Sequence, residues 1–154
     1  METEIEKALT GPEFWTSGPE QAYIYAYIVI NGRFPEGESL IAQDAEYAYK
    51  YAGYVINGRF PEGEAVIAQN AEYAYRYARE VIKGRFIEGE AAIARGASWS
   101  IAVYAYRYAL NVINGRWPLG EAAIAKDPEM ALHYCNRFKD QFTEWEQVLW
   151  LLKI

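Results

Sequence analysis

Ile56-Asn57-Gly58-Arg59-Phe60-Pro61-Glu62-Gly63-Glu64 occurs four times in this chain with small changes. The other copies are Ile30-Asn-Gly-Arg-Phe-Pro-Glu-Gly-Glu38, Ile82-Lys-Gly-Arg-Phe-Ile-Glu-Gly-Glu90 and Ile113-Asn-Gly-Arg-Trp-Pro-Leu-Gly-Glu121, at spacings of 26, 26 and 31 residues. Self-similarity at such a period marks a repeat array, and each repeat is then a single supersecondary unit. A tyrosine-rich run stands upstream of each copy: Ala22-Tyr-Ile-Tyr-Ala26, Tyr47-Ala-Tyr-Lys-Tyr-Ala52, Tyr73-Ala-Tyr-Arg-Tyr-Ala78 and Tyr104-Ala-Tyr-Arg-Tyr-Ala109. A fifth, divergent run is Met130-Ala-Leu-His-Tyr-Cys135.

Within one unit, Asp44 is a good N-cap, and Glu46 falls in the first turn, where the helix dipole favours a carboxylate. Gly58 is placed to take the left-handed conformation that ends a helix, which gives a helix A of about 13 residues. Asn70 and Asp127 repeat the cap, and Asp127 precedes Pro128, whose missing N–H costs nothing at the first helical position. After the Gly-Arg-Phe turn, Pro61 opens a shorter helix B, Pro61 to Gln69. The alternation Tyr47, Tyr49, Tyr51 also fits a strand, but alanines at 45, 48 and 52 interleave with it where a strand would favour β-branched residues. On a helical wheel Tyr47, Tyr51, Val55, Ala48, Ala52, Ile56 and Tyr49 sweep roughly 200°. One helix B cannot cover so wide an arc, so the units must stack on each other.

The sequence therefore predicts an all-α solenoid of stacked 26-residue helix-turn-helix repeats with terminal capping helices. Residues 1–17 form the N-terminal cap, 18–137 the array, with units starting near 18, 44, 70, 96 and 127, and 138–154 a capping or dimerisation helix. The last residues, Val148-Leu-Trp-Leu-Leu152, are apolar on nearly all sides, which suits a tucked closing helix or a homodimer contact through 142–154.

The composition, 52% apolar and 16% aromatic with 14 tyrosines, is that of a folding chain rather than a disordered one. All 14 tyrosines lie in the helix A runs, so their excess follows from repetition. A formal charge of -6 without any basic run disfavours nucleic acid as a partner. No apolar stretch approaches the roughly 20 residues of a membrane helix. Lacking a secretory signature and carrying one cysteine, Cys135, the chain reads as cytoplasmic.

The repeat resembles the short tyrosine-rich αα-hairpin repeats, of the pattern AYxYAxxVIxGRFPEGExxIxxD, of bacteriophage and giant-virus proteins, and is similar in general plan to tetratricopeptide and Sel1-like solenoids. The resemblance spans roughly residues 18–139. It implies a viral interaction protein, one that could interfere with a host system, and it brings no catalytic residues. Ile87 departs from the pattern's turn proline, and five extra residues precede the fourth helix A.

Residues present in every unit are explained first by folding and stacking. Arg33, Arg59, Arg85 and Arg116 are placed to bind the carbonyls ending helix A or the nearby Glu38, Glu64, Glu90 and Glu121, the alternative being a ladder of anion-binding arginines. The tyrosines form columns, with the 47 and 49 columns at the borders of the apolar arc, where half-exposed rings make a good binding surface. In the basic column Lys50, Arg76, Arg107, His133, all but Arg107 have a glutamate four residues earlier (Glu46, Glu72, Glu129), whereas Val103 precedes Arg107. The extra segment Gly96-Ala-Ser-Trp-Ser100 lies just upstream. Function more often sits where a repeat is broken, so Trp99, Tyr104 and Arg107, with neighbouring Tyr75 and Tyr106, are the candidate binding residues.

One histidine is too few for a His-based metal site, no phosphate-binding glycine loop occurs, and Cys135 holds a position that is alanine in other units. The reading is thus a non-catalytic protein-binding scaffold without cofactor or metal. The alternatives are sequestration of a nucleotide-like small molecule in a Tyr/Arg-lined pocket and a structural assembly adaptor.

Overall fold

The computed structural model describes residues 11–95, 99–143 and 146. A short helix α1 (Pro12–Trp15) precedes four pairs of helices. The long members, each continued by a π segment, begin with α2 (Pro19–Ile24), α4 (Ala45–Lys50), α6 (Ala71–Arg76) and α8 (Trp99–Tyr108). The short members are α3 (Pro35–Ile41), α5 (Pro61–Ile67), α7 (Ile87–Ala94) and α9 (Pro118–Ile124). A fifth long helix, α10 (Pro128–Arg137), leads into a 3-10 turn, Lys139–Gln141. Long helices pack beside long helices and short beside short, in two layers, as an all-α solenoid; no strand occurs among the described residues.

The caps act as their residue types dictate. The Asp44 carboxylate accepts the amide hydrogens of Glu46 and Tyr47, the Asn70 side chain those of Glu72 and Tyr73, and Asp127 that of Met130. The far ends differ from expectation. Each of the four paired long helices, α2, α4, α6 and α8, passes into a segment of i→i+5 bonding: Tyr25–Ile30, Tyr51–Ile56, Tyr77–Ile82 and Ala109–Ile113. Such π turns are rare elsewhere and usually isolated; recurrence in four successive units makes this one part of the scaffold.

The wider closing turn moves the chain reversal back by one residue. In the second unit the N–H groups of Asn57 and Gly58 both bond to the Ala52 carbonyl, and it is Asn57, not Gly58, that is left-handed, with φ 55°. Asn31, Asn114 and Lys83 take the same conformation, and no glycine among the described residues has positive φ. Asn tolerates this region because of its short polar side chain, whereas Lys83 holds it against its own preference.

The conserved-looking glycine that does matter sterically sits inside each short helix. A Cβ on Gly63 would lie 2.5 Å from the Phe60 ring and 2.8 Å from the Ala48 Cβ, and one on Gly89 would meet Phe86 and Ala74 at 2.5 and 2.8 Å. Glycine facing alanine thus lets the two layers approach over the buried columns Ala48, Ala74 and Phe60, Phe86. At the N-terminus α1 supplies Trp15, whose ring meets Phe34 edge-on at 5.1 Å. At the C-terminus Phe138 and Phe142 close on Tyr134 at 5.2 and 5.9 Å. Residues 1–10 and 147–154, and with them most of the expected closing or dimerisation helix, lie outside the described residues.

Candidate functional site

The residues shared by all units form a contact between units. Arg59 donates two hydrogen bonds to Glu64, from Nε at 2.7 Å and Nη2 at 2.8 Å. The next unit's Tyr77 inserts its hydroxyl, which donates to Glu64 Oε1 at 2.7 Å and accepts the Phe60 amide hydrogen at 2.9 Å. Arg33, Glu38, Tyr51 and Phe34 repeat this node, as do Arg85, Glu90, Tyr108 and Phe86 and Arg116, Glu121, Tyr134 and Trp117.

The electrostatics follow from the geometry. Bonds from Arg33 and Arg59 hold the Glu38 and Glu64 carboxyls below the ordinary carboxylate range, against the upward push of burial. Burial raises the Tyr51 hydroxyl to about 12, and raises those of Tyr77, Tyr108 and Tyr134 as well. The arginine column is therefore committed to glutamates, and the expected i,i+4 pairs Glu46–Lys50, Glu72–Arg76 and Glu129–His133 are present on the outer face.

The other tyrosine columns are also contacts between units. Tyr23 meets Tyr47, Tyr49 meets Tyr73, and Tyr75 meets Tyr104, with ring centroids 5.9, 5.9 and 6.1 Å apart. Tyr49 and Tyr75 are only 3% exposed, so these two members of their column are buried rather than half exposed at the border of the arc, whereas Tyr23 and Tyr106 are half-buried. The wheel treats a helix alone, and the following unit supplies the cover. The Tyr49 hydroxyl bonds to Glu80, and the Tyr75 hydroxyl accepts from Asn111 at 3.0 Å and Arg79 at 3.3 Å.

The four candidate residues whose side chains are described do not form one patch. Tyr75 is internal to the junction between the third and fourth units, and Tyr104 is half-buried at that same junction. Tyr106 belongs to the next junction, where its ring stands 6.5 Å from His133. Arg107 is exposed and has no ion-pair partner among the described residues. Trp99 begins α8, but its side chain lies outside the described residues, as do residues 96–98.

The third junction, where five extra residues lengthen the connection, carries an open cleft in two lobes. One lobe, of about 410 Å³, is lined by Ala68, Gln69, Ala71, Ala91, Ala92, Arg95 and Ile101. The other, of about 310 Å³, is lined by Gln69, Asn70, Ala71, Glu72, Ser100, Ile101 and Tyr104. The first lobe is walled by alanines and Ile101, with an exposed cation, Arg95, beside them. In the second, burial and then a hydrogen bond to the Glu72 carboxylate raise the Tyr104 hydroxyl. The Asn70 and Gln69 side chains are engaged by the backbone, in the cap and through a 3.1 Å bond to the Ala65 carbonyl. Sequence reasoning found Tyr104 but not Arg95 or Ile101, although both flank the inserted segment that pointed to this junction. Their signal was adjacency to the break rather than any residue pattern.

Among the described residues no three His, Cys, Asp or Glu side chains are grouped to hold a metal ion, and no helix is long and apolar enough to cross a membrane. No protein-family model matches the chain, and comparison with curated proteins and with solved structures finds no match.

Proposed function

We propose that this protein is a non-catalytic repeat scaffold that binds another protein, using the cleft between the third and fourth units. The observation that carries this reading is the cleft itself, which opens at the junction where the repeat period changes from 26 to 31 residues and joins an apolar wall to Arg95 and Tyr104. Alanine walls accept a side chain or a stretch of extended backbone, and a guanidinium beside them favours a partner segment carrying a carboxylate next to apolar residues. The regular junctions offer less, because their arginines and buried tyrosine hydroxyls are committed to glutamates. The resemblance to phage and giant-virus repeats supports a viral source, a host protein as the target and inhibition by occupancy in the host cytoplasm.

The test is capture from host lysate by the wild-type chain and by an Arg95→Glu, Tyr104→Ala variant of equal stability. The proposal expects a protein held by the first and lost by the second; equal retention by both would sink it. Stabilisation by a panel of nucleotides with no protein retained would favour small-molecule sequestration instead, since a ligand at 100 times its Kd adds about 2.7 kcal/mol.

A further inference from the structure

A solenoid needs polar faces at its two ends to remain solitary, and among the described residues each end of the long-helix layer here exposes aliphatic side chains beside its polar ones. At the first end, α2 and its π turn expose Tyr27, Ile28 and Ile30, with Ile28 64% exposed. At the last, α10 exposes Leu132 at 50%.

The register explains what these residues are. Aligned on the buried alanines, Ile28 holds the place of Tyr54, Glu80 and Asn111, of which Glu80 and Asn111 reach back from their own unit to the tyrosine hydroxyl of the unit before. Leu132 holds the place of Tyr49 and Tyr75, the tyrosines that are reached. Each end thus presents one half of the contact that joins units inside the chain. At the second and third junctions both halves are polar: hydroxyl with carboxylate, hydroxyl with amide. At the ends both are aliphatic. Ile28 could not serve an interior tyrosine, and Leu132 could not satisfy an interior glutamate, but they suit one another. The neighbouring positions agree. Glu46 and Glu72 face the first-column tyrosine of the following unit and raise its hydroxyl; the corresponding pair at the ends is Glu129 with Gln21, a carboxylate and an amide donor.

We propose that a second copy of this chain docks head to tail, the Ile28 face of one copy on the Leu132 face of another, continuing the unit-to-unit contact of the long-helix layer across two chains. The contact is heterologous, so each copy keeps one free end, and assembly either closes into a ring or runs on as a filament.

Sedimentation velocity of the full chain at physiological salt, from about 10 μM to about 1 mM, tests this, the upper limit being set by the weakness of a contact confined to one layer. The mass of the wild type should rise with concentration. Ile28→Glu and Leu132→Glu, both at exposed sites and checked for helix content, should each stay monomeric. An equimolar mixture of the two variants should form a dimer and nothing larger, through the one intact pair of faces. Ile28→Lys combined with Leu132→Glu in one chain should restore assembly. A wild type that stays monomeric throughout, an association that survives either single variant, or a mixture that forms no dimer would overturn the proposal. An interface through residues 142–154 would show itself by the second of these results.

Discussion

Replacing Tyr77 with Phe removes one oxygen atom from the interior of the array and breaks two hydrogen bonds. The Tyr77 hydroxyl donates to Glu64 at 2.7 Å and accepts from the Phe60 amide at 2.9 Å, and both Tyr77 and Phe60 are 0% exposed. Loss of a hydrogen bond to a charged acceptor costs about 1.5–3 kcal/mol, and a buried N–H left without a partner about 1–3 kcal/mol, so the pair sums to roughly 2.5–6 kcal/mol. The ring itself stays, and its edge contact with Phe86 at 5.2 Å is kept, so packing does not confound the number. The Arg59–Glu64 pair is a weaker member of the node. The arginine side chain is 57% exposed, and Arg59→Gln should cost much less than Tyr77→Phe. Urea unfolding followed by circular dichroism measures the loss, and amide hydrogen exchange locates it, because the Phe60 N–H should lose its protection while the Phe34 N–H, bonded to Tyr51, keeps it. In a repeat array the denaturation curve should also broaden as the two halves uncouple. A loss below about 1 kcal/mol with Phe60 still protected would refute the assignment of this hydroxyl as the link between units.

The glycines separate two roles. Gly58→Ala should be tolerated within about 0.5 kcal/mol, since the nearest atom to a new Cβ is 3.8 Å away. Gly63→Ala should cost about 2 kcal/mol or more, because the new Cβ would lie 2.8 Å from that of Ala48. Thermal unfolding compares the two. At the third helix end, Lys83→Asn should stabilise by about 0.5–1 kcal/mol by placing at φ 56° a residue that tolerates it, an increase readable in the urea midpoint. The pH profile has a sign at each end. Tyr51 and its counterparts have raised hydroxyl pKa values in the folded chain, so their contribution is complete below the ordinary tyrosine value of 10.0 and is lost as pH climbs towards about 12. Tyrosinate absorbance should accordingly show these residues ionising above the ordinary value, in step with unfolding. Glu38 and Glu64 have lowered values, so their contribution is present above 4.5 and fades as pH falls below it.

Much of this architecture was legible because repetition removes ambiguity. A cap at Asp44 is one clue, but the same cap at Asn70 and Asp127 fixes where helices begin, and arginine five residues before glutamate in every turn announces a pair. What stayed hidden depended on a neighbouring unit or on the detailed course of the backbone. Tyr49 looked like a border residue on its own helix, but the adjacent α6 and the π segment that follows it, with Tyr73 and Glu80, cover it. The Tyr77 link to Phe60 joins positions 17 residues apart across a unit boundary, beyond the reach of any helical periodicity. The π turns change no residue type, so the sequence pointed to Gly58 while the structure reverses at Asn57. At the third junction the insertion was visible as an irregular spacing, yet the wall that it opens, with Ala71, Ala91 and Arg95, comes from flanking residues that carry no motif of their own.

If regular junctions serve stability and the irregular one serves binding, making the fourth unit regular should separate the two properties. The decisive measurement is partner capture by a chain lacking Gly96–Ser100 and carrying Val103→Glu, which restores both the 26-residue spacing and the missing partner of Arg107. The account predicts that this chain unfolds at the wild-type urea concentration or higher and no longer retains the protein that the wild type captures. Undiminished capture by the regularised chain would contradict it.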